Sequence, residues 1–257
     1  MKFWTVFGIL AVVFEYESVK DQAIMKRFYK QAAASEGDDG LTVTLDGRAL
    51  RTPAKAALAL PSQALAEAIA DEWNKQDETI DPTTMPMMRL AGTAIDRVMP
   101  QRDTVITGLA TYAGSDLLCY RAEVPLALVA EQAKAWDPLL EWARTRHQLE
   151  FTVTAGIAPV RQPLGSLARV GDLLATYDAF TIAALHSATS ATGSLVVGLA
   201  LHDREIDAET AFTVSQIDEA FQTRQWGADP EAEAARQALR RDLADASVFF
   251  GLLPESP

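Results

Sequence analysis

One short stretch limits the possible folds more than any other. Leu41, Val43 and Leu45 alternate with Thr42 and Thr44, and Asp46-Gly47 follows at once. A period of two puts the three apolar residues on one face of a half-buried strand. Asp-Gly is a favoured two-residue hairpin turn, because both positions tolerate a positive φ. The chain then returns through Arg48-Ala49-Leu50-Arg51, turns at Thr52-Pro53 and runs extended over 56–60. A small antiparallel sheet is therefore expected early in the chain.

From there the period changes. Ser62 is a candidate N-cap, and Leu65, Ile69 and Trp73 recur every fourth residue as one apolar stripe that would cover the sheet. Asp81-Pro82 marks a boundary, and residues 87–98 read as a helix carrying Leu90, Ala94, Ile95 and Val98. Beyond Pro100 the pattern is mostly helical, over 105–112, 125–147, 165–187 and 208–226. Residues 149–153 form one more alternating, extended segment, and a last helix starts at Asp229-Pro230 and runs to about 245. The fold class predicted is α+β. An N-terminal mixed α/β lobe with a small antiparallel sheet (25–100) is followed by an all-helical lobe (101–257). Residues 1–24 read as an N-terminal extension of unclear status.

Composition narrows the function. The chain has 257 residues, 49% of them hydrophobic, which suffices for a sizeable core. A net charge of −12 disfavours nucleic acid and anionic membrane surfaces as partners. Cys119 is the lone cysteine, so neither an internal disulfide nor a multi-cysteine metal site is available; a reducing compartment follows. Residues 3–14 are apolar but too short to span a bilayer and lack a small-x-small cleavage site. Residues 181–201 are too polar in the middle for a lipid-facing helix, and read as two buried helices broken near Gly193.

Catalytic constellations are missing. His147, His186 and His202 do not share the i, i+4 spacing of a helical metal pair. His186-Ser187 and His202-Asp203 are sequence neighbours, which on a helix point different ways and cannot make a triad by themselves. The chain has no Gly-x-Ser-x-Gly elbow and no Gly-Lys-Ser/Thr phosphate loop. Asp71-Glu72 and Asp218-Glu219 are pairs that chance supplies in so acidic a chain. The alternative to a non-enzymatic role is a hydrolase using an acid and a histidine such as His186.

Several stretches, in order, resemble the family of F(1)-ATPase assembly chaperones. They are Leu45-Asp46-Gly47-Arg48-Ala49-Leu50-Arg51-Thr52-Pro53, then Leu60-Pro61 through Glu72-Trp73 and Gln76. Ile80-Asp81-Pro82, Met85-Pro86, Arg89-Leu90-Ala91 and Thr93-Ala94-Ile95-Asp96 continue the match. Asp116 to Ala122, Trp136-Asp137-Pro138 and Asp218-Glu219-Ala220-Phe221-Gln222 with Arg224 and Trp226-Gly227 complete it. The similarity runs from about Lys26 to Gly227; Met87-Met88 departs from the expected pair. The resemblance implies a chaperone that is not an enzyme, with no cofactor and no metal. Its partner would be the free alpha subunit of the ATP synthase catalytic head, kept from aggregating and handed to the beta subunit. The same resemblance implies a monomer without membrane insertion. Lack of an arginine- and serine-rich presequence favours a bacterial cytoplasm over a mitochondrial matrix, the location if the source is eukaryotic.

On that reading the partner-binding candidates are Glu219, Asp218, Arg224 and Trp226. In a helix over 208–226, Ala211, Val214, Ile217 and Phe221 face the core, and Glu219 lies about 200° from Phe221. Asp218 sits nearer the edge of the stripe. Arg224 pairs either with a partner or with an acid of its own lobe. Trp226 either seals the helix end or anchors a partner, the first being favoured. Trp73 is assigned a structural role. Arg48, Arg51 and Lys55 form a basic edge on the hairpin.

Overall fold

The computed structural model describes residues 25–156, 158–227 and 229–254; the apolar run over 3–14 and the extension to residue 24 lie outside them. The fold is α+β. Its hairpin is the predicted one: β3 (Gly40–Leu45) pairs with β4 (Arg48–Ala49), and Asp46 and Gly47 turn with φ of 48° and 80°. Leu60 donates its N–H to Leu41 O at 2.8 Å, so the extended 56–60 segment closes onto β3 as expected.

The strand on the other side was not expected. β2 (Ala32–Gly37) pairs in register with β3, giving the order β2-β3-β4. Two-residue strands β1 (Met25–Lys26) and β5 (Thr79–Ile80) form a separate antiparallel pair. Helix α1 (Gln63–Asn74) starts where Ser62 Oγ accepts from Leu65 N at 3.1 Å, and it lies across β2 and β3. Leu65, Ile69 and Trp73 are all buried with Val43 and Leu45. Each such side chain contributes roughly 1.5–3 kcal/mol by leaving water, and this stripe fixes the helix on the sheet.

Helix α2 (Pro86–Thr93) runs on through a π-helical turn (Ala94–Val98) and a 3-10 turn (Met99–Gln101) into α3 (Arg102–Gly114). Met87 and Met88 are buried, and the N–H groups of both bond the carboxylate of Glu72, at 2.6 and 2.8 Å. Glu72 is thus no chance member of an acidic pair. It satisfies two orphan donors of the α2 N-terminus.

The remaining helices are α4 (Leu126–His147), α5 (Leu164–Thr176), α6 (Ala179–Thr192), α7 (Leu195–His202), α8 (Ala208–Ser215), α9 (Ile217–Trp226) and α10 (Pro230–Leu252). Helices α6 and α7 are the buried pair read from 181–201, broken at Gly193 with φ of 69°. Three expectations need correction. The run over 165–187 is two helices, because the Asp178 carboxylate caps α6 through Phe180 N and Thr181 N. The run over 208–226 is also two, parted at Gln216, whose φ and ψ of −110° and 18° leave the helical region. Finally, 149–153 is not a strand. The Gln162 side-chain amide bonds both the N–H and the C=O of Thr152, at 2.8 and 3.0 Å, taking the place of a neighbouring strand. Pairing begins only at β7 (Thr154–Ala155), parallel to β6 (Tyr120–Arg121).

Helix α10 packs on α6, α7 and α8 and also reaches back to α1 and α2. At its end the Ser62 hydroxyl donates to Leu252 O. The cap of the first helix is thereby tied to the last turn of the last one.

Candidate partner-binding face

Helices α4 and α9 pack together, and their polar links show which side chains remain available. Gln132, buried on α4, accepts from Ala122 N at 2.8 Å and donates to Asp218 Oδ1 at 2.6 Å. The Asp218 carboxyl is therefore engaged within the protein. Burial raises its pKa, and the bond from Gln132 only partly offsets that. Glu219, the next residue, is exposed as its helical angle requires. Its pKa is raised too, first by desolvation and then by the neighbouring Asp218 charge.

Arg224 takes the second of its two readings: it pairs with Glu131 on α4 at 2.6 Å and lies over the Phe221 ring at 5.3 Å. Both charged partners are exposed, so the pair is worth less than about 1 kcal/mol. Trp226 corrects the favoured reading. The side chain is 79% exposed and seals nothing; Gly227, with φ of 90°, ends the helix without it. Its indole stands in water at the helix end. Sequence reasoning missed the apolar Val124 and Leu126, 76% and 79% exposed, at the start of α4. Their position on either side of Pro125, before a helix, was the available signal.

Trp73 lies elsewhere, buried under the sheet, with its ring 5.5 Å from that of Tyr29. The basic edge is real: Arg48 and Arg51 are exposed on the β4 side, and Arg51 donates to Lys55 O at 3.0 Å.

The histidines are arranged differently from the sequence expectation. Asp203 lies beyond the end of α7, and its carboxylate faces His202 Nδ1 at 2.8 Å and His147 Nε2 at 3.0 Å. Adjacent residues do pair here, at the C-cap of α7. Burial opposes the Asp203 charge, but the two imidazoles outweigh it and hold the carboxyl well below the usual range. Aromatic rings surround the cluster: Trp142 meets His147 edge to face, as Phe250 meets His202, and Tyr177 lies tilted against His202. His186, whose pKa burial lowers, lies 3.4 Å from the Ser190 hydroxyl rather than beside Ser187. Cys119 is buried and its thiol is pushed up to about 12, first by desolvation, so it is not a nucleophile. Among the described residues no group of three or more His, Cys, Asp or Glu could hold a metal, and no helix is long and apolar enough to cross a membrane.

The fold has close counterparts. The family model for the ATP12 chaperone protein matches residues 26–144. Atp12 from Paracoccus denitrificans superposes with a TM-score of 0.86 at 43% identity, over 90% of this chain and 99% of that one. This chain belongs to the ATP12 chaperone family. A second solved structure, the Atu1473 protein of Agrobacterium tumefaciens, gives a TM-score of 0.82 at 40% identity, covering 88% of this chain and 84% of its own. The mitochondrial protein atp12 of Schizosaccharomyces pombe is 25% identical over 241 residues, 89% of this chain and 83% of that protein. The Atp12 stretch matched by the family model holds the hairpin, α1 and Trp73, whereas α9 with Glu219 and Trp226 lies beyond it.

Proposed function

We propose that this Atp12 relative is a non-catalytic assembly chaperone for ATP synthase. It binds the free alpha subunit of the catalytic head, keeps it from aggregating and yields it to the beta subunit. The observation that carries this reading is the 43% identity to Paracoccus Atp12 over nearly the whole of that protein. Release by competition suits such a role: if chaperone and beta subunit bind the same alpha surface, mass action alone transfers the client and no nucleotide is consumed.

The contact face includes Trp226 as the aromatic anchor and Glu219 as an exposed acid two turns before it on α9. Asp218 and Arg224 hold the face in shape through Gln132 and Glu131. Fully desolvated aromatic anchors carry a large share of interface energy, and Trp226 is the most exposed aromatic side chain on this helix. We place the protein as a monomer in a bacterial cytoplasm.

Co-expression tests the proposal. The alpha subunit made with this protein should stay soluble, and made alone it should aggregate. Equal solubility in both cases would remove the chaperone role.

A further inference from the structure

The sheet has two edges, and they are treated differently. In the β2–β3 ladder, Ala33, Ser35 and Gly37 face Thr44, Thr42 and Gly40. Leu41 and Val43 turn the other way, accepting from Leu60 N and Leu50 N. Backbone groups alternate along a strand, so Ala32, Ala34 and Glu36 direct their N–H and C=O groups outward. Ala32 is served: the Asn74 side-chain amide bonds both its N–H and its C=O, each at 2.8 Å. A side chain there imitates one residue of a missing strand. Among the described residues Ala34 has no such partner, and the one contact to Glu36 O is the Ser35 hydroxyl at 3.5 Å.

Proteins normally guard an open edge with lysine, proline or a bulge. The β4 side has Arg48, Arg51 and Lys55. The β2 side, Ala-Ala-Ala-Ser-Glu-Gly, has no lysine and no proline, and its register with β3 is unbroken. The charge beside it is acidic: Glu36, Asp38 and Asp39 are exposed, and none forms an ion pair among the described residues. An extended segment carrying lysine or arginine would be drawn to these three acids, in a chain of net charge −12.

We propose that the outer edge of β2 is a docking strand, on which Ala34 and Glu36 receive an extended, basic segment of the client as an added β-strand. The proposal rests on the assembly-chaperone reading, with the alpha subunit as the client. It adds a second point of contact, built from backbone rather than side chains, to the Trp226 face.

Ala34→Pro tests it, since this change deletes one outward N–H and leaves the inner ladder intact. Binding of purified alpha subunit is measured for wild type, Ala34→Pro and Trp226→Ala, with residue-resolved hydrogen exchange on the wild-type complex. Expected are affinity about tenfold weaker for Ala34→Pro at unchanged melting temperature, and new protection at the amides of Ala34 and Glu36. Unchanged affinity, or no new protection at those two amides, overturns the docking edge while leaving the chaperone role standing. Protection of those amides in the protein alone, with a dimer in solution, overturns it in favour of a second copy. Alpha subunit that fails to bind wild type overturns both. Should Ala34→Pro melt early, exchange on the native chain decides.

Discussion

Tyr29 donates its hydroxyl proton to the carbonyl oxygen of Trp73 at 2.6 Å while its ring meets the indole edge to face. The chain before the sheet is thus held to the C-terminal end of the helix that covers it. Trp73→Arg puts a charge into this buried contact. The variant should lose at least about 3 kcal/mol, as large core truncations do. Chemical denaturation checks this, and a wild-type midpoint would contradict the stripe assignment.

Glu72 makes stability depend on pH. Burial raises its pKa from 4.5 to about 7, against the two amide bonds that favour the charged form. A folded-state value above the unfolded one means a contribution fully present below about pH 4.5, and lost as pH rises through about 7. The Glu72→Gln variant has no such titration. The stability difference between wild type and this variant should therefore fall between pH 5 and 8, by an amount of order 1–3 kcal/mol. Urea midpoints of both proteins across that range supply the test.

Asp203 behaves oppositely. Its depressed pKa makes its contribution present above about pH 4 and lost only in stronger acid. Asp203→Asn leaves His147 and His202 facing an amide and should destabilise the protein by about 1–3 kcal/mol at neutral pH. Melting curves at pH 7 and pH 3 should show the gap closing at the lower value.

Gly198 sits where α7 meets α6. A Cβ there would come within 2.6 Å of Thr189 Oγ1 and 3.1 Å of Leu185 Cδ1. Both neighbours are fully buried and cannot swing into solvent. Gly198→Ala should cost about 1–3 kcal/mol despite alanine's better helix propensity. A melting temperature equal to or above wild type would show that the two helices are farther apart.

Trp226→Ala should leave stability within about 0.5 kcal/mol, because the indole packs on little. Its effect should appear in alpha-subunit binding, weakened about tenfold or more. Glu219→Gln should be equally silent in stability and milder in binding. Calorimetric titration of both variants separates the two contributions.

Features with a local chemical cause were readable in the chain. Asp46-Gly47 turns where it should, Ser62 caps α1, and Gly193 divides α6 from α7. What escaped depends on contacts distant in sequence. Strand β2, Ala-Ala-Ala-Ser-Glu-Gly, holds no β-branched or aromatic residue and has no strand propensity of its own; its pairing with β3 makes it a strand. Residues 149–153 have the right alternation, yet one glutamine ten residues away takes the bonds a strand would use. Glu72 reads as half of a chance acidic pair because the donors it serves lie fifteen and sixteen positions further on. At the candidate face the helical angle placed Glu219 outside correctly. Whether Trp226 was covered depended on where α9 ended relative to its neighbours, and no periodicity carries that information.

The bond from Ser62 to Leu252 O has a consequence for how the molecule is made. During synthesis the sheet and α1 emerge well before α10, which packs back on α1 and α2. Until then the buried faces that α10 covers stay wet. A ribosome-bound chain is in that sense a client itself, and premature termination before α10 should yield a product that cells degrade rather than a smaller working chaperone.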